Sequence, residues 1–166
     1  IVLVGVALST DADCAPGLTN SIALVHRQGW RAVAHKQLLP SYDVFDERRY
    51  FRPGTGPNLL QLPNGQRLGL TICEDLWVDD TLQRERLAGP DPIEQLIPEQ
   101  PDVVINLAAS PFDADKPLLR QKLAATAARR LNCPVVYLNQ VGGNDELVFD
   151  GGSFVMSASG DPLLEL

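Results

Sequence analysis

Leu70-Thr71-Ile72-Cys73-Glu74-Asp75-Leu76-Trp77 is a stretch in which an apolar segment stops abruptly at a thiol and two carboxylates. A short apolar run with β-branched residues reads as a buried strand. Ionised side chains are costly to bury, so Glu74 and Asp75 are expected to mark the point where the strand emerges at an edge or cleft. Cys73 itself has two readings. A lone cysteine in an apolar strand is commonly a small core hydrophobe, whereas a thiol beside a cation is stabilised as thiolate and becomes a nucleophile. This segment alone leans slightly to the first.

Outward from it, the chain alternates strands with two kinds of connection. Residues 1–8 form a continuous apolar run, as expected of a buried strand. Residues 9–20 read as a polar loop. Residues 21–26 and 31–36 flank Arg27-Gln28-Gly29-Trp30 as a hairpin. Residues 37–58 carry three prolines and two glycines and are expected to be irregular. A second strand pair, 59–62 and 67–73, surrounds Pro63-Asn64-Gly65-Gln66. After Trp77 come a polar region, a helix near 92–97 and a strand at 103–108. The longest helix is expected over 117–131, where Pro117 suits a first turn and Leu119, Leu123, Ala127 and Leu131 recur every four residues. A strand at 133–139 and a terminal hairpin, 149–158 with 163–166, complete an α/β pattern.

The 166 residues fit one domain, 1–166, able to bury its own core. A net charge of −7 argues against a nucleic-acid or anionic-membrane surface. No apolar run reaches the roughly 20 residues that cross a bilayer. Cys14, Cys73 and Cys133 cannot all pair, and their spacing matches no zinc site or disulfide framework. Reduced thiols in a cytoplasmic setting, with no metal, are the expectation.

Three further clusters bear on chemistry. Lys36 ends a strand, where it is either a solvated lysine or a cation held in a cleft to stabilise an oxyanion. Glu47 lies beside Arg48 and Arg49, which read best as a surface ion-pair patch. Tyr42, Phe45, Tyr50 and Phe51 place four aromatics in ten residues, so this loop is expected to pack over something. Asn106-Leu107-Ala108-Ala109-Ser110-Pro111-Phe112 ends the next strand, with Lys116 after it. Residues 139–153 are dense in glycine and amides and read as a tight-turn connection between strands. Ligands in several α/β folds gather at strand ends, and here three strand ends carry Lys36, Cys73 and Ser110.

Together these runs resemble the carbon–nitrogen hydrolase (nitrilase) superfamily. Lys36-Gln37-Leu38-Leu39-Pro40 matches its lysine motif, Phe45-Asp46-Glu47-Arg48-Arg49-Tyr50-Phe51 the segment after it, and Ile72-Cys73-Glu74-Asp75 its nucleophile motif. Leu39 to Tyr42, Cys73 to Trp77, Ala109 to Phe112 and Asn139 to Ser153 look like the glutaminase domains of glutamine-dependent NAD synthetases within it. The resemblance implies an α-β-β-α sandwich with a Glu-Lys-Cys triad. Cys73 would attack the carboxamide of L-glutamine, and Lys36 with the Glu74 N–H would hold the oxyanion. Glu47 would orient Lys36. Tyr42, Ser110, Lys116, Glu74 and Trp77 would contact glutamine, with Lys116 toward its α-carboxylate.

The family's general base is a glutamate in a Pro-Glu-Leu segment that precedes the strand starting here at Ile1, and this sequence has no such segment. The sandwich is therefore expected to lack its N-terminal strand and helix, and the isolated chain to turn over negligibly. ATP and deamido-NAD are expected only in a separate synthetase domain, with no cofactor in this one. The resemblance also implies a homo-oligomer and the synthetase domain as partner. Two alternatives stand beside the glutaminase: a free-standing amidase or carbamoylase, and a non-catalytic interaction module that uses the apolar edge at Ile1.

Overall fold

In a computed structural model, residues 1–10, 15–82 and 87–166 are described. Cys14 and part of the polar region after Trp77 lie outside them. The smaller of two facing sheets is an antiparallel meander of β1 (Val2–Ser9), β2 (Leu18–His26) and β3 (Gly29–His35). The β1–β2 register is unbroken from Val2 opposite Val25 to Ser9 opposite Leu18. The strand β2 therefore begins within what the sequence presents as a polar loop. Ladder pairing with the apolar β1 outweighs the weak strand preference of Asn20.

A short helix, α1 (Glu47–Tyr50), interrupts the proline-rich excursion after β3. The larger sheet is built from β4 (Leu59–Gln61), β5 (Arg67–Ile72), β6 (Val103–Ala108) and β7 (Val135–Asn139). Helices α2 (Pro92–Leu96) and α3 (Lys116–Leu131) lie in its β5–β6 and β6–β7 connections. Residues 139–153 hold a separate hairpin, β8 (Val141–Asn144) with β9 (Leu147–Asp150), in place of a bare turn. Two strands complete the larger sheet, β10 (Phe154–Met156) and β11 (Pro162–Glu165), giving the order β11-β10-β7-β6-β5-β4.

The strands β5, β6 and β7 run parallel, so their carboxyl ends meet at one rim of the sheet. Side chains alternate between its two faces. On one face Val104, Val135, Tyr137 and Met156 pack with Leu96, Ala124 and Leu131 of the helices. On the other, Leu60, Leu70 and Ile72 meet Ile22, Leu24 and Ala34 of the smaller sheet. Layers of sheet, sheet and helix result, which is the expected α/β layering. On the smaller sheet Val2, Val4, Val25 and Trp30 remain exposed. Pro117 sits in the first turn of α3, and Asn132 closes the helix in the left-handed conformation with φ 51°.

Candidate active site

The cleft of about 550 Å³ between the two sheets lies at the joint rim of β5, β6 and β7. Its walls include Lys36, Phe45, Glu47, Cys73, Glu74 and Asn139. Each arrives for a local reason. Lys36 follows β3 and is only 1% exposed, with its backbone held by Asn20 and Gly54. A Cβ at position 54 would lie 2.5 Å from the His35 carbonyl oxygen, so only glycine admits this approach. Pro40 accepts the Glu47 N–H, which folds α1 back over the lysine.

Cys73 is the first residue of a 3₁₀ turn, Cys73–Leu76, just past the end of β5. Its φ of 49° is a left-handed conformation that costs a non-glycine residue on the order of 1–3 kcal/mol. Such a conformation persists only where the surroundings enforce it, and here two side chains do. The Asn106 amide donates to the Cys73 carbonyl at 3.2 Å and to Thr71 at 2.9 Å. The Asp75 carboxylate is fully buried and accepts three backbone N–H bonds, from Gln37 at 3.0 Å, Leu38 at 2.8 Å and Ile72 at 3.1 Å. Asp75 thereby joins the segment after Lys36 to the turn that begins with Cys73.

Glu74 and Asp75 are both buried. They do not mark an exit to solvent, because hydrogen bonds satisfy them within the fold. The Tyr42 hydroxyl donates to Glu74 Oε1. Burial pushes Glu74 up, opposed by Tyr42 and the positive charges of Lys36 and Lys116. Burial also pushes Asp75 up to about 6, against its three N–H donors and Lys36. Burial works against the Lys36 ammonium, yet the charges of Cys73, Glu47 and Asp75 leave its pKa above the ordinary lysine value. Lys36 Nζ meets Glu47 Oε1 at 2.5 Å, while Glu47 Oε2 is buried with no hydrogen-bond partner among the described residues. Lys36 therefore stays a cation, suited to holding negative charge rather than to accepting a proton.

The Cys73 thiol is pushed up to about 11, by burial first and then by Glu74, Glu47 and Asp75, with Lys36 pulling it down. It is protonated at neutral pH and needs a base as it reacts. The remaining predicted site residues stand farther out. Tyr42 is half-exposed and edge-on to Phe45, with ring centroids 5.8 Å apart. Lys116 opens α3, half-buried, and its charge acts on Glu74. Trp77 packs toward the helical core, its indole nitrogen without a hydrogen-bond partner among the described residues. Ser110 is 3% exposed and does not line the cleft; its hydroxyl accepts from Arg120 Nε at 3.2 Å. Arg48 donates to the Leu39 and Ala88 carbonyls, while Arg49 makes a loose ion pair with Asp46 at 3.8 Å.

The importance of Asp75 escapes the sequence reading, and so do those of Asn106 and Arg120. Asp75→Asn keeps the shape but turns one acceptor into a donor facing backbone N–H groups. It should destabilise the fold by about 2 kcal/mol, read as a lower urea midpoint at unchanged slope. An unmoved midpoint would deny the clamp. Alkylation of Cys73 by iodoacetamide should accelerate as pH rises, with a midpoint near 11. Lys36→Met should move that midpoint higher and slow the reaction at neutral pH; an unchanged profile would show that the ammonium does not act on the thiol.

Comparison with known proteins places this geometry. The family model "Carbon-nitrogen hydrolase" matches residues 1–166. The glutamine-dependent NAD(+) synthetase of Synechocystis is 43% identical over 143 residues, 86% of this chain and 25% of the relative. That of Aquifex aeolicus is 38% identical over 144 residues, 86% of this chain and 23% of the relative. The chain thus spans about a quarter of the length of these relatives. The solved structure of glutamine-dependent NAD+ synthetase from Acinetobacter baumannii superposes with a TM-score of 0.80 at 33% identity, covering 99% of this chain and 28% of that one. An amidase of the nitrilase superfamily from Nesterenkonia superposes with a TM-score of 0.69 at 25% identity, over 96% of this chain and 55% of the other. In that structure the acetamide moiety of fluoroacetamide is covalently added to the active-site cysteine. The sandwich is therefore the nitrilase-superfamily fold, and the chain belongs to the carbon–nitrogen hydrolase family.

Proposed function

We propose that the chain is a glutaminase domain that hydrolyses L-glutamine to glutamate and ammonia through Cys73, supplying ammonia to a synthetase domain that converts deamido-NAD to NAD. The observation that carries this is the meeting of a thiol, a buried ammonium and its paired carboxylate in one cleft. The thiol gives up its proton as Sγ attacks the side-chain carboxamide carbon. The resulting oxyanion is held by Lys36 and the Glu74 N–H, the first-turn N–H groups of a helix lacking partners within it. Ammonia leaves with that proton, and a γ-glutamyl thioester remains. Water then attacks the thioester, releasing glutamate and restoring the thiol. Glu47 orients Lys36.

The charges around the cleft suit a free amino acid. Glu74 can take the α-ammonium and Lys116 the α-carboxylate, with the Tyr42 hydroxyl as a further partner, while Ser110, behind the lining residues Ala108 and Ala109, shapes the wall. Trp77 packs toward the helical core and lies outside this contact set. The reaction needs no cofactor or metal in this domain; ATP and deamido-NAD belong with the synthetase domain. Among the described residues no helix is long and apolar enough to cross a membrane. A homo-oligomer and a cytoplasmic setting are part of the same proposal. The likeness to the Nesterenkonia amidase favours a second reading, an amidase acting on simple amides.

Ammonia release from glutamine and from acetamide, measured on the full-length protein, separates the two. Glutamine should be strongly preferred, and Cys73→Ala should reduce its hydrolysis by about 1,000-fold or more. Undiminished release by that variant would remove Cys73 as nucleophile. A preference for acetamide would establish the amidase.

A further inference from the structure

The side chain of Arg120 is 1% exposed on the inner face of α3, among alanines and leucines that already anchor this helix by apolar contact. Burying a guanidinium costs several kcal/mol unless its geometry is well satisfied. Here it is. Nε donates to Ser110 Oγ at 3.2 Å, and Nη2 to the carbonyls of Ser110 at 2.9 Å and Pro111 at 3.0 Å. Nη1 donates to both oxygens of Asp150, at 2.9 and 3.0 Å. Five acceptors match the five N–H groups of the guanidinium.

The targets share one location. Asn139, on the cleft wall, brackets Ser110 from the other side: its Oδ1 accepts the Ser110 N–H at 2.8 Å and its Nδ2 donates to the Ser110 carbonyl at 3.2 Å. Nδ2 also donates to the Gly151 carbonyl at 3.0 Å, beside Asp150. Ala108 and Ala109, immediately before Ser110, line the cleft. Lys116 stands four residues before Arg120, one turn earlier on the same helical face.

We propose that Arg120 is a positioning residue for substrate recognition: through Ser110 and the first turn of α3 it sets the cleft wall that distinguishes glutamine from other carbonyl electrophiles. This rests on the glutaminase reading above. Arg120 touches neither the thiol nor Lys36, so it acts on recognition and leaves thiol chemistry alone. The bond from Nε takes one lone pair of the Ser110 hydroxyl and, with the two bonds from Nη2 to the backbone carbonyls, fixes where Ser110 stands. A lysine in this place keeps the charge but cannot reach five acceptors in a planar fork.

Two electrophiles acting on the same thiol test this in the full-length protein: a diazoketone analogue of glutamine, which must be recognised, and iodoacetamide, which need not be. In Arg120→Lys the diazoketone rate should fall by about tenfold or more, as sub-ångström displacement of a recognising wall implies, while the iodoacetamide rate stays within about twofold. Asp150→Asn, which removes the charge partner but keeps the shape, should give the same pattern more weakly and carries the test if Arg120→Lys does not fold. Parallel loss of both rates would reduce Arg120 to a general structural residue and overturn the inference, as would no change in either. If the diazoketone fails to label Cys73 in the unmutated protein, the glutaminase reading falls, and this inference with it.

Discussion

One fully buried carboxylate sets the chemistry of this fold. Asp75 accepts the N–H groups of Gln37 and Leu38 on one side and of Ile72 on the other. These residues are the neighbours of Lys36 and Cys73, which come from different sheets. Asn58 also bridges His35 to Leu70, but it holds the strands one step back from the site, and the apolar contacts around them do not fix direction. With Asp75, three directed bonds hold the lysine and the thiol at one cleft. Those bonds also offset the desolvation of the carboxylate, which burial alone would drive toward its neutral form.

The site is organised as a set of imposed costs. Cys73 is held in a left-handed conformation, Lys36 is almost completely buried, and the thiol is pushed up toward 11 by neighbouring carboxylates as well as by burial. Each state is unfavourable in isolation, and each is retained by a neighbour: Asn106 and Asp75 for the turn, Glu47 for the ammonium. A protonated thiol beside a permanent cation suits a reaction in which negative charge appears on the substrate oxygen as a base removes the thiol proton. The parallel strands behind the site give it a rigid rim, and the buried Arg120–Asp150 pair locks the far wall.

Much of this was legible in the sequence. The strands β6 and β7 appear as unbroken apolar runs because most of both their faces is covered; β1 shows the same kind of run, yet none of its residues is buried, so the expected buried strand is instead an exposed one. The helix α3 shows as a four-residue repeat of leucine and alanine. Cys73, Lys36 and Glu47 stood out because a thiol, a lysine and a carboxylate interrupt apolar or aromatic runs. Other features depended on distant partners. Asp75 bonds across 37 and 38 residues, and Arg120 reaches Asp150 across 30, so no local pattern marks either. The same distance explains why Glu74 and Asp75 read as a strand end turning to solvent: two adjacent carboxylates are costly to bury until their donors are known. The strand β8 lies in a glycine-rich segment whose strand preference is weak, and pairing with β9 defines it.

The central claim is that Cys73 attacks the glutamine carboxamide and carries the acyl group. Acid quenching of the full-length protein within the first turnover of glutamine, followed by peptide mass spectrometry, tests it most directly. The expected result is one γ-glutamyl group on the peptide containing Cys73, removable by hydroxylamine as a thioester is. Release of ammonia in that first turnover with Cys73 unmodified, or with the acyl group on another residue, would contradict it.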